Sequence, residues 1–467
     1  MNTNLSVIIL AAGKSTRFKS STSKVLHKVA GTSILNLINC SVQKLASHYL
    51  QISQTIVISG QNTNQLKSSL QDNSIQFITQ DQQLGTGHAV QCALPYLQKT
   101  SHILILLGDT PLISTATLQK LITTTPQNSL GMLTAYVKNP AGLGRIIRDK
   151  QNNIIQIIEE KDATSEQRAI EEINSGIYLV SKILLDKWIP NLSSQNSQNE
   201  YYLTDIVAMA VKDHVPIYSI PVDEYEIQGI NTRVQLAAVE RQIQLRKAEQ
   251  YMLNGVTLVD PNRFDVRGDV EIHPDVTIDI NVILEGLKSK TIIESDVIIE
   301  PNVIIRNSHV KAGSKILANS VIESAVIHNN CQVGPFARIR PGTILQEEAK
   351  IGNFVEIKQS TIGAASKVNH LSYIGDAEIG MSVNIGAGTI TCNYDGANKY
   401  KTTIEDNVFI GSGTQLIAPV IVGKGATIAA GTTLTKDAEA GKLTLTQKVQ
   451  KTILDWVRPS KTTANNK

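Results

Sequence analysis

Aromatic side chains make up only 4% of this 467-residue sequence, and no basic stripe interleaves with them. A stacking platform for bases and a cationic track for phosphates are both lacking, so nucleic acid is not an obvious partner. Charge of one sign is equally scarce, the formal net value being +3. Cysteine is sparse: Cys40, Cys92, Cys331 and Cys392 stand far apart, with no CxxC pair. Neither a structural zinc site nor a disulfide framework is expected, and a reducing cytosol is the economical setting. Long apolar runs are missing too. The stretch Val7–Ala12 is too short for a signal segment or a membrane span, and it leads straight into Gly13. The chain is nonetheless too long for one hydrophobic core, so two or three folding units are expected.

What is present is a period. Between about Ile292 and Leu434 an aliphatic residue returns at almost every sixth position. Ile304, Val310, Ile316 and Ile322 set the step, and after one shortened interval Ile327, Val333, Ile339, Leu345, Ile351 and Ile357 continue it. Ile404, Ile410, Leu416, Val422, Ile428 and Leu434 resume it. Neither a helix nor a half-buried strand has this spacing. A hexapeptide period implies a parallel β-helix, each aliphatic side chain pointing into a prism and stacking on its equivalent one coil away. Gly352, Gly363 and Gly375 are expected at the corners, where φ is often positive. A solenoid is a scaffold, so its chemistry has to be argued separately.

The N-terminal half reads as an α/β unit. Ser6–Leu10 is a buried strand, and Ala11-Ala12-Gly13-Lys14-Ser15-Thr16-Arg17 follows as a small-residue loop carrying two cations. Such a loop after a strand presents backbone N–H groups to phosphate, and Lys24 adds a further cation for a triphosphate. Ile56–Ser59 and Ile75–Ile78 read as further strands, the second leading to Gln80 and the loop Leu84–Ala89. His102–Leu107 is an apolar strand ending at Gly108-Asp109. A carboxylate just past the C-terminal end of a parallel strand lies where open α/β sheets bind ligands. Asp109 is therefore a candidate ligand for Mg²⁺, which takes oxygen donors and shares them with phosphates.

These residues carry a resemblance. LAAGxxTR, Lys24-Val-Leu-His, LGTGHA, LGDTPLI, the Gly144–Ile146 GRI, EEKDA, INSGIY, EYYLTD and GINTR occur in the order found in sugar-1-phosphate nucleotidylyltransferases. Joined to a hexapeptide half, the chain resembles the bacterial bifunctional N-acetylglucosamine-1-phosphate uridylyltransferases/glucosamine-1-phosphate N-acetyltransferases, to about residue 450. The resemblance implies a Rossmann-like nucleotidyltransferase domain over 1–231, a linker helix over 232–255, a left-handed β-helix over 256–450 and a flexible tail over 451–467. It implies a first active site joining UTP and N-acetylglucosamine 1-phosphate to give UDP-N-acetylglucosamine and pyrophosphate. Arg17 and Lys24 would neutralise the triphosphate, and Asp109 and Asn231 would hold Mg²⁺. Gln80, Gly85 and Thr86 would read the uracil, with backbone contacts along Leu10, Ala11, Ala12 and Gly13 and at Leu107-Gly108. Gly144, Glu159 and Asn174 would hold the sugar.

Two residues depart from that pattern. Ser15 stands where the family has glycine, which restricts the loop backbone. Ser23 stands where it has proline before the lysine, which removes a fixed φ.

Thr232–Leu253 reads as a connecting helix with Leu236, Val239 and Ile243 on one face, ended by Asn254-Gly255. Further on, Arg340, Lys358, His370, Tyr373, Asn384, Asn393, Tyr394 and Lys399 gather in the coils between Pro341 and Tyr400 and their border. There Cys392–Lys401 breaks the hexad as an inserted loop, the kind of place where function sits on a rigid repeat. The resemblance makes His370 the general base for acetyl transfer, since the amine of glucosamine 1-phosphate must shed a proton near neutral pH. Arg340 and Lys358 would bind the sugar phosphate, with Tyr373 and Asn384 orienting the sugar. Ala387, Asn393, Tyr394, Ser412 and Ala430 would line acetyl-CoA. The family's C-terminal arginine contact to coenzyme A aligns with Gln447, a neutral amide that cannot replace its charge, though Lys442 and Lys448 lie close by. A cytoplasmic homotrimer without membrane or nucleic-acid partners is implied, supplying a precursor of peptidoglycan and lipopolysaccharide. Two other readings stand beside this one: a single-reaction nucleotidylyltransferase whose solenoid only trimerises it or binds a regulator, and a non-catalytic scaffold with the same two-domain build.

Overall fold

The computed structural model describes residues 3–46, 50–70, 72, 74–97, 100–447 and 449–459. The chain divides into two compact units, Met1–Lys247 and Ala248–Lys467. The division falls inside the long helix Arg233–Leu253. On the first unit Val239 is fully buried, with Leu236 and Ile243 packed on the same core. The helix stops at Asn254-Gly255, where Gly255 takes φ +91° and its N–H reaches the Met252 carbonyl.

The first unit is built on one mixed sheet. In chain order its strands are β1 (Thr3–Ala11), β2 (Leu50–Ser59), β3 (Ile75–Thr79), β4 (His102–Leu107) and β5 (Leu130–Tyr136). They continue as β6 (Arg145–Arg148), β7 (Ile154–Ile158), β8 (Glu172–Ser181) and β9 (Ile217–Pro221). The order across the sheet is β9-β5-β8-β4-β1-β2-β3, with β6 and β7 as a hairpin branching from β8. β1 pairs parallel with β2 and β4, while β8 runs antiparallel to β4 and β5. Both faces are covered, so β1 is apolar without a break from Val7 onward: Leu5, Val7 and Ile9 enter one core and Ile8 the other. The C-terminal ends of β1, β3 and β4 consequently open onto one edge of the sheet.

The second unit is a parallel β-helix of short strands in which each coil pairs with the next. Val310, Ile316, Ile322, Ile327 and Val333 are fully buried in one continuous core, as the period requires. Each removes most of its side chain from water, worth about 1.5–3 kcal/mol apiece. Buried Ser308, Ser314, Ser320, Ser360 and Ser366 each accept the backbone N–H of the residue 17 further along. One coil is longer: Met381 reaches Asp406 across 25 residues, the extra length being the loop around Asn393–Lys401.

Two expectations are corrected here. Ile304 is only half-buried and Ile305 points inward instead, because a short interval also falls between Ile305 and Val310. Gly352, Gly363 and Gly375 do not have positive φ. They are small because a Cβ would strike the Asn369 carbonyl, the Gly380 carbonyl or the Tyr373 ring. The corners with positive φ are taken largely by other residues. One forms a column through Asn281, Asn302 and Asn319, then Phe336, Phe354 and Leu371, then Gly388, Gly413 and Gly431. The asparagines bond side chain to side chain at 3.0 and 3.2 Å, and the two phenyl rings stack at 5.3 Å.

Candidate active sites

In the first unit two hollows meet at the sheet edge. One, of about 400 Å³, is lined by Leu10, Ala11, Ala12, Gly13, Lys24, Gln80, Gly85, Thr86, Leu107 and Asp109. The other, of about 490 Å³, is lined by Arg17, Gly144, Glu159, Asn174 and Asn231, and shares Leu10, Thr86, Leu107 and Asp109 with the first. Asp109 therefore stands at the junction. Gly108 has to be glycine: its N–H donates to the Leu10 carbonyl at 2.9 Å, and a Cβ would meet that oxygen at 2.8 Å. Gly85, at φ +112°, lies against the Tyr201 backbone, and Gln80 Nε2 donates to its carbonyl at 3.1 Å. These bonds fix the Gln80–Thr86 loop opposite Leu10–Gly13.

At the junction Lys24 Nζ donates to Asp109 Oδ2 at 2.5 Å and to Asn231 Oδ1 at 2.8 Å. Two oxygens converge on one cationic nitrogen, and both are hard donors, so the pair fits a Mg²⁺ ion that completes its shell with phosphate and water. Among the described residues no group of three His, Cys, Asp or Glu forms a metal cage. Arg17 is exposed on the loop, while its neighbour Phe18 is buried between the His27 ring, 4.5 Å away, and the Arg233 guanidinium at 5.2 Å. In the sugar-side hollow the Asn174 N–H donates to the Gly144 carbonyl at 2.9 Å, and Thr204 Oγ1 donates to Glu159 at 3.2 Å.

In the second unit the sites sort by column. The Leu371, Gly388, Gly413 and Gly431 N–H groups donate to the carbonyls of Asn353, His370, Ala387 and Ser412. His370, Ala387, Ser412 and Ala430 thus stack in successive coils, each just before the corner. Beyond His370 the corner carries only glycine, so the edge beside these residues is bare backbone. A second group gathers on Asp376: Asn393 Nδ2 donates to its carboxylate, and Lys358 Nζ lies 3.9 Å from it. Lys399 lies close to Lys358, and a hollow of about 340 Å³ opens beside Asp376 and Lys399. Tyr394 and Lys399 bridge across the inserted loop. Arg340 is paired with Glu356 at 2.6 Å, and Tyr373 lies in register with Glu356. Asn384 stands ahead of the His370 column, in register with Lys367 and Phe409. Gln447 is exposed past the last strand, and Lys448 lies outside the described residues, as does the tail from 460 onward.

Comparison with known proteins gives matches over both units. A MobA-like NTP transferase domain model matches residues 7–145, a GMPPB C-terminal domain model 266–352, and a bacterial transferase hexapeptide model (six repeats) 401–436. The bifunctional protein GlmU of Acinetobacter baumannii (strain AYE) is 50% identical over 457 residues, 97% of this chain and 98% of its own. That of Pseudomonas putida (strain GB-1) is 48% identical and that of Marinobacter nauticus 46%, each covering 98% of this chain and 99% of its own. The chain belongs to the GlmU family. As a GlmU-family enzyme it is bifunctional, a uridylyltransferase in its nucleotidyltransferase unit and an acetyltransferase in its hexapeptide unit. Among the described residues no helix is long and apolar enough to cross a membrane.

The electrostatics of this GlmU-family chain fit anionic and hydroxylated ligands. Burial raises the Glu159 carboxyl above the ordinary glutamate range, and Asp162 and Asp205 add to it. A carboxyl held that way is a strong acceptor for sugar hydroxyls once they replace water. In the second unit the close Lys358 amine pushes the Lys399 amine down, and Asp376 opposes it. Two crowded amines beside one carboxylate leave an excess of positive charge that suits an anionic ligand. Two residues had no signal in the sequence, Asn353, whose Oδ1 meets His370 Nδ1, and Asp376, while Thr204, on Glu159, lies within the EYYLTD stretch. Asn353 and Asp376 act through partners on a neighbouring coil, which only the register reveals.

Proposed function

We propose that the two hollows of the first unit take the two halves of UDP-N-acetylglucosamine, with the reacting phosphates at Asp109. The supporting observation is the junction itself: the two hollows share Asp109, beside Lys24 and Asn231. A phosphate oxygen of N-acetylglucosamine 1-phosphate attacks the α-phosphorus of UTP, and the bond to the β-phosphate breaks as pyrophosphate leaves. Repulsion between two polyanions is the barrier, so Arg17 and Lys24 act by neutralising charge that grows on the leaving group. Gln80, Gly85 and Thr86 hold the uracil, while Gly144, Glu159 and Asn174 hold the sugar. Asp109 and Asn231 would hold Mg²⁺, which would supply further positive charge against the phosphates.

In the second unit His370 takes the proton from the glucosamine 1-phosphate amine as nitrogen attacks the acetyl carbonyl. The new N–C bond replaces the thioester C–S bond, and coenzyme A leaves as the thiol. Lys358 and Arg340 bind the sugar phosphate, and Tyr373 and Asn384 orient the ring. The pantetheine arm lies along Ala387, Ser412 and Ala430, with Asn393 and Tyr394 over it and Gln447 at its far end. Arg340 engaged with Glu356 and Asn384 off the His370 column fit a site completed by a neighbouring copy, as in a homotrimer working in the cytoplasm.

The test is a coupled assay on purified protein with glucosamine 1-phosphate, acetyl-CoA, UTP and Mg²⁺, following free thiol and pyrophosphate. His370→Ala should abolish thiol release while pyrophosphate still forms from added N-acetylglucosamine 1-phosphate. Asp109→Ala should do the reverse. Unchanged uridylyl transfer in Asp109→Ala would reject the metal assignment, and unchanged thiol release in His370→Ala the base.

A further inference from the structure

Asp109 and Asn231 come from segments far apart in sequence, and the fold spends effort on bringing them together. The Ile230 N–H donates to the Asp109 carbonyl at 3.0 Å, and Gln235 Oε1 accepts from the Asn231 N–H at 2.8 Å. Both side-chain oxygens are then given to the ammonium of Lys24, which is 12% exposed against 20% for Asp109. Lys24 nevertheless lines the nucleotide-side hollow next to Gly13 and Lys14, where a triphosphate would lie. One amine cannot serve both places at once. A lysine is a compact charge on a flexible four-carbon stem, able to reach either.

The geometry points to Lys24 as a displaceable counter-ion that fills the cation site of Asp109 and Asn231 until the triphosphate draws it away. This rests on the reading of those two residues as metal ligands. An ammonium and a divalent cation compete for the same oxygen lone pairs and repel each other at that range. Triphosphate arriving in the hollow gives Lys24 a stronger partner, which frees the two oxygens as the phosphates bring the divalent ion. Metal entry and triphosphate entry are thereby coupled, and each ligand raises the affinity for the other. In the free enzyme the same contact keeps the Asp109 carboxylate neutralised and the site closed to stray divalent ions.

The experiment is Mn²⁺ binding to the full chain without nucleotide, read from the electron paramagnetic resonance signal of free Mn²⁺. Lys24→Met should bind Mn²⁺ about tenfold more tightly than the unmodified chain. Arg17→Gln removes an equal charge that touches neither oxygen, and should stay within about twofold. Equal affinities for Lys24→Met and the unmodified chain would overturn the exchange, and so would an equal gain in Arg17→Gln. A second measurement needs no variant: saturating Mg²⁺ alone should raise the reactivity of the Lys24 amine toward a small acylating reagent, read by peptide mass spectrometry. Unchanged labelling rejects the proposal. If Mn²⁺ binding in the presence of UTP is untouched by Asp109→Asn, the ligand reading itself fails, whatever Lys24 does.

Discussion

His370 Nδ1 lies 3.0 Å from Asn353 Oδ1, the residue in register with it one coil earlier. With an amide oxygen facing Nδ1, that nitrogen carries the hydrogen, and Nε2 keeps the lone pair that a base needs. Asn353→Ala should lower kcat for acetyl transfer about tenfold to a hundredfold with little change in the KM for acetyl-CoA. Uridylyl transfer by the same preparation should be unaltered. A change confined to KM would assign Asn353 to substrate binding.

Asp376 fastens the inserted loop by accepting from Asn393 while facing Lys358. Asp376→Ala leaves the amide and the ammonium without that partner, and the KM for the acetyl donor should rise about tenfold. Limited proteolysis should then cut more rapidly between Tyr394 and Tyr400. Equal cutting rates would show that the loop is held by its own hairpin contacts.

For Glu159 the direction of the shift sets the pH dependence. Its carboxyl is raised by burial, so the folded chain holds the proton more tightly than the unfolded chain. Stability is therefore highest below the ordinary glutamate value and declines as pH rises from there to the folded value. Glu159→Gln should unfold at a higher temperature than the unmodified chain at about pH 7, with the gap closing towards about pH 4. The same variant should raise the KM for the sugar phosphate about tenfold. A pH-independent gap in unfolding temperature would contradict the assignment.

The serine-rich loop offers a gain rather than a loss. Ser15 sits at φ +54°, a left-handed conformation costing about 1–2 kcal/mol for a residue with a Cβ. Ser23 sits at φ −55° and ψ 137°, values proline shares. Ser15→Gly with Ser23→Pro should lower the KM for UTP about threefold by holding the loop ready. An unchanged KM would mean that the loop is already ordered by Phe18 between His27 and Arg233.

Much of this was legible in the amino-acid order, for reasons that differ by level. The hexad reveals the β-helix because one face of every short strand is buried, yet a strict step of six points to Ile304, whereas the five-residue interval before Val310 turns Ile305 inward. The strands ending at Ala11 and Leu107 carried apolar runs and loop residues adjacent in sequence. The Lys24–Asp109–Asn231 contact, the antiparallel place of β8 and the Asn353–His370 pair carried no such signal. They depend on which segments lie side by side, and local pattern does not encode that.

The corner column has a metric consequence. Successive coils are related by near-pure translation of about 4.8 Å, the spacing of paired strands. Counting coils along that edge therefore measures length, and the bare stretch from His370 to Ala430 spans three steps, about 14 Å. With acetyl-CoA placed as proposed, the edge is a gauge for the acyl carrier. An arm of the right reach delivers its thioester to His370, and one coil more or fewer would leave the acyl group a full strand spacing from the base.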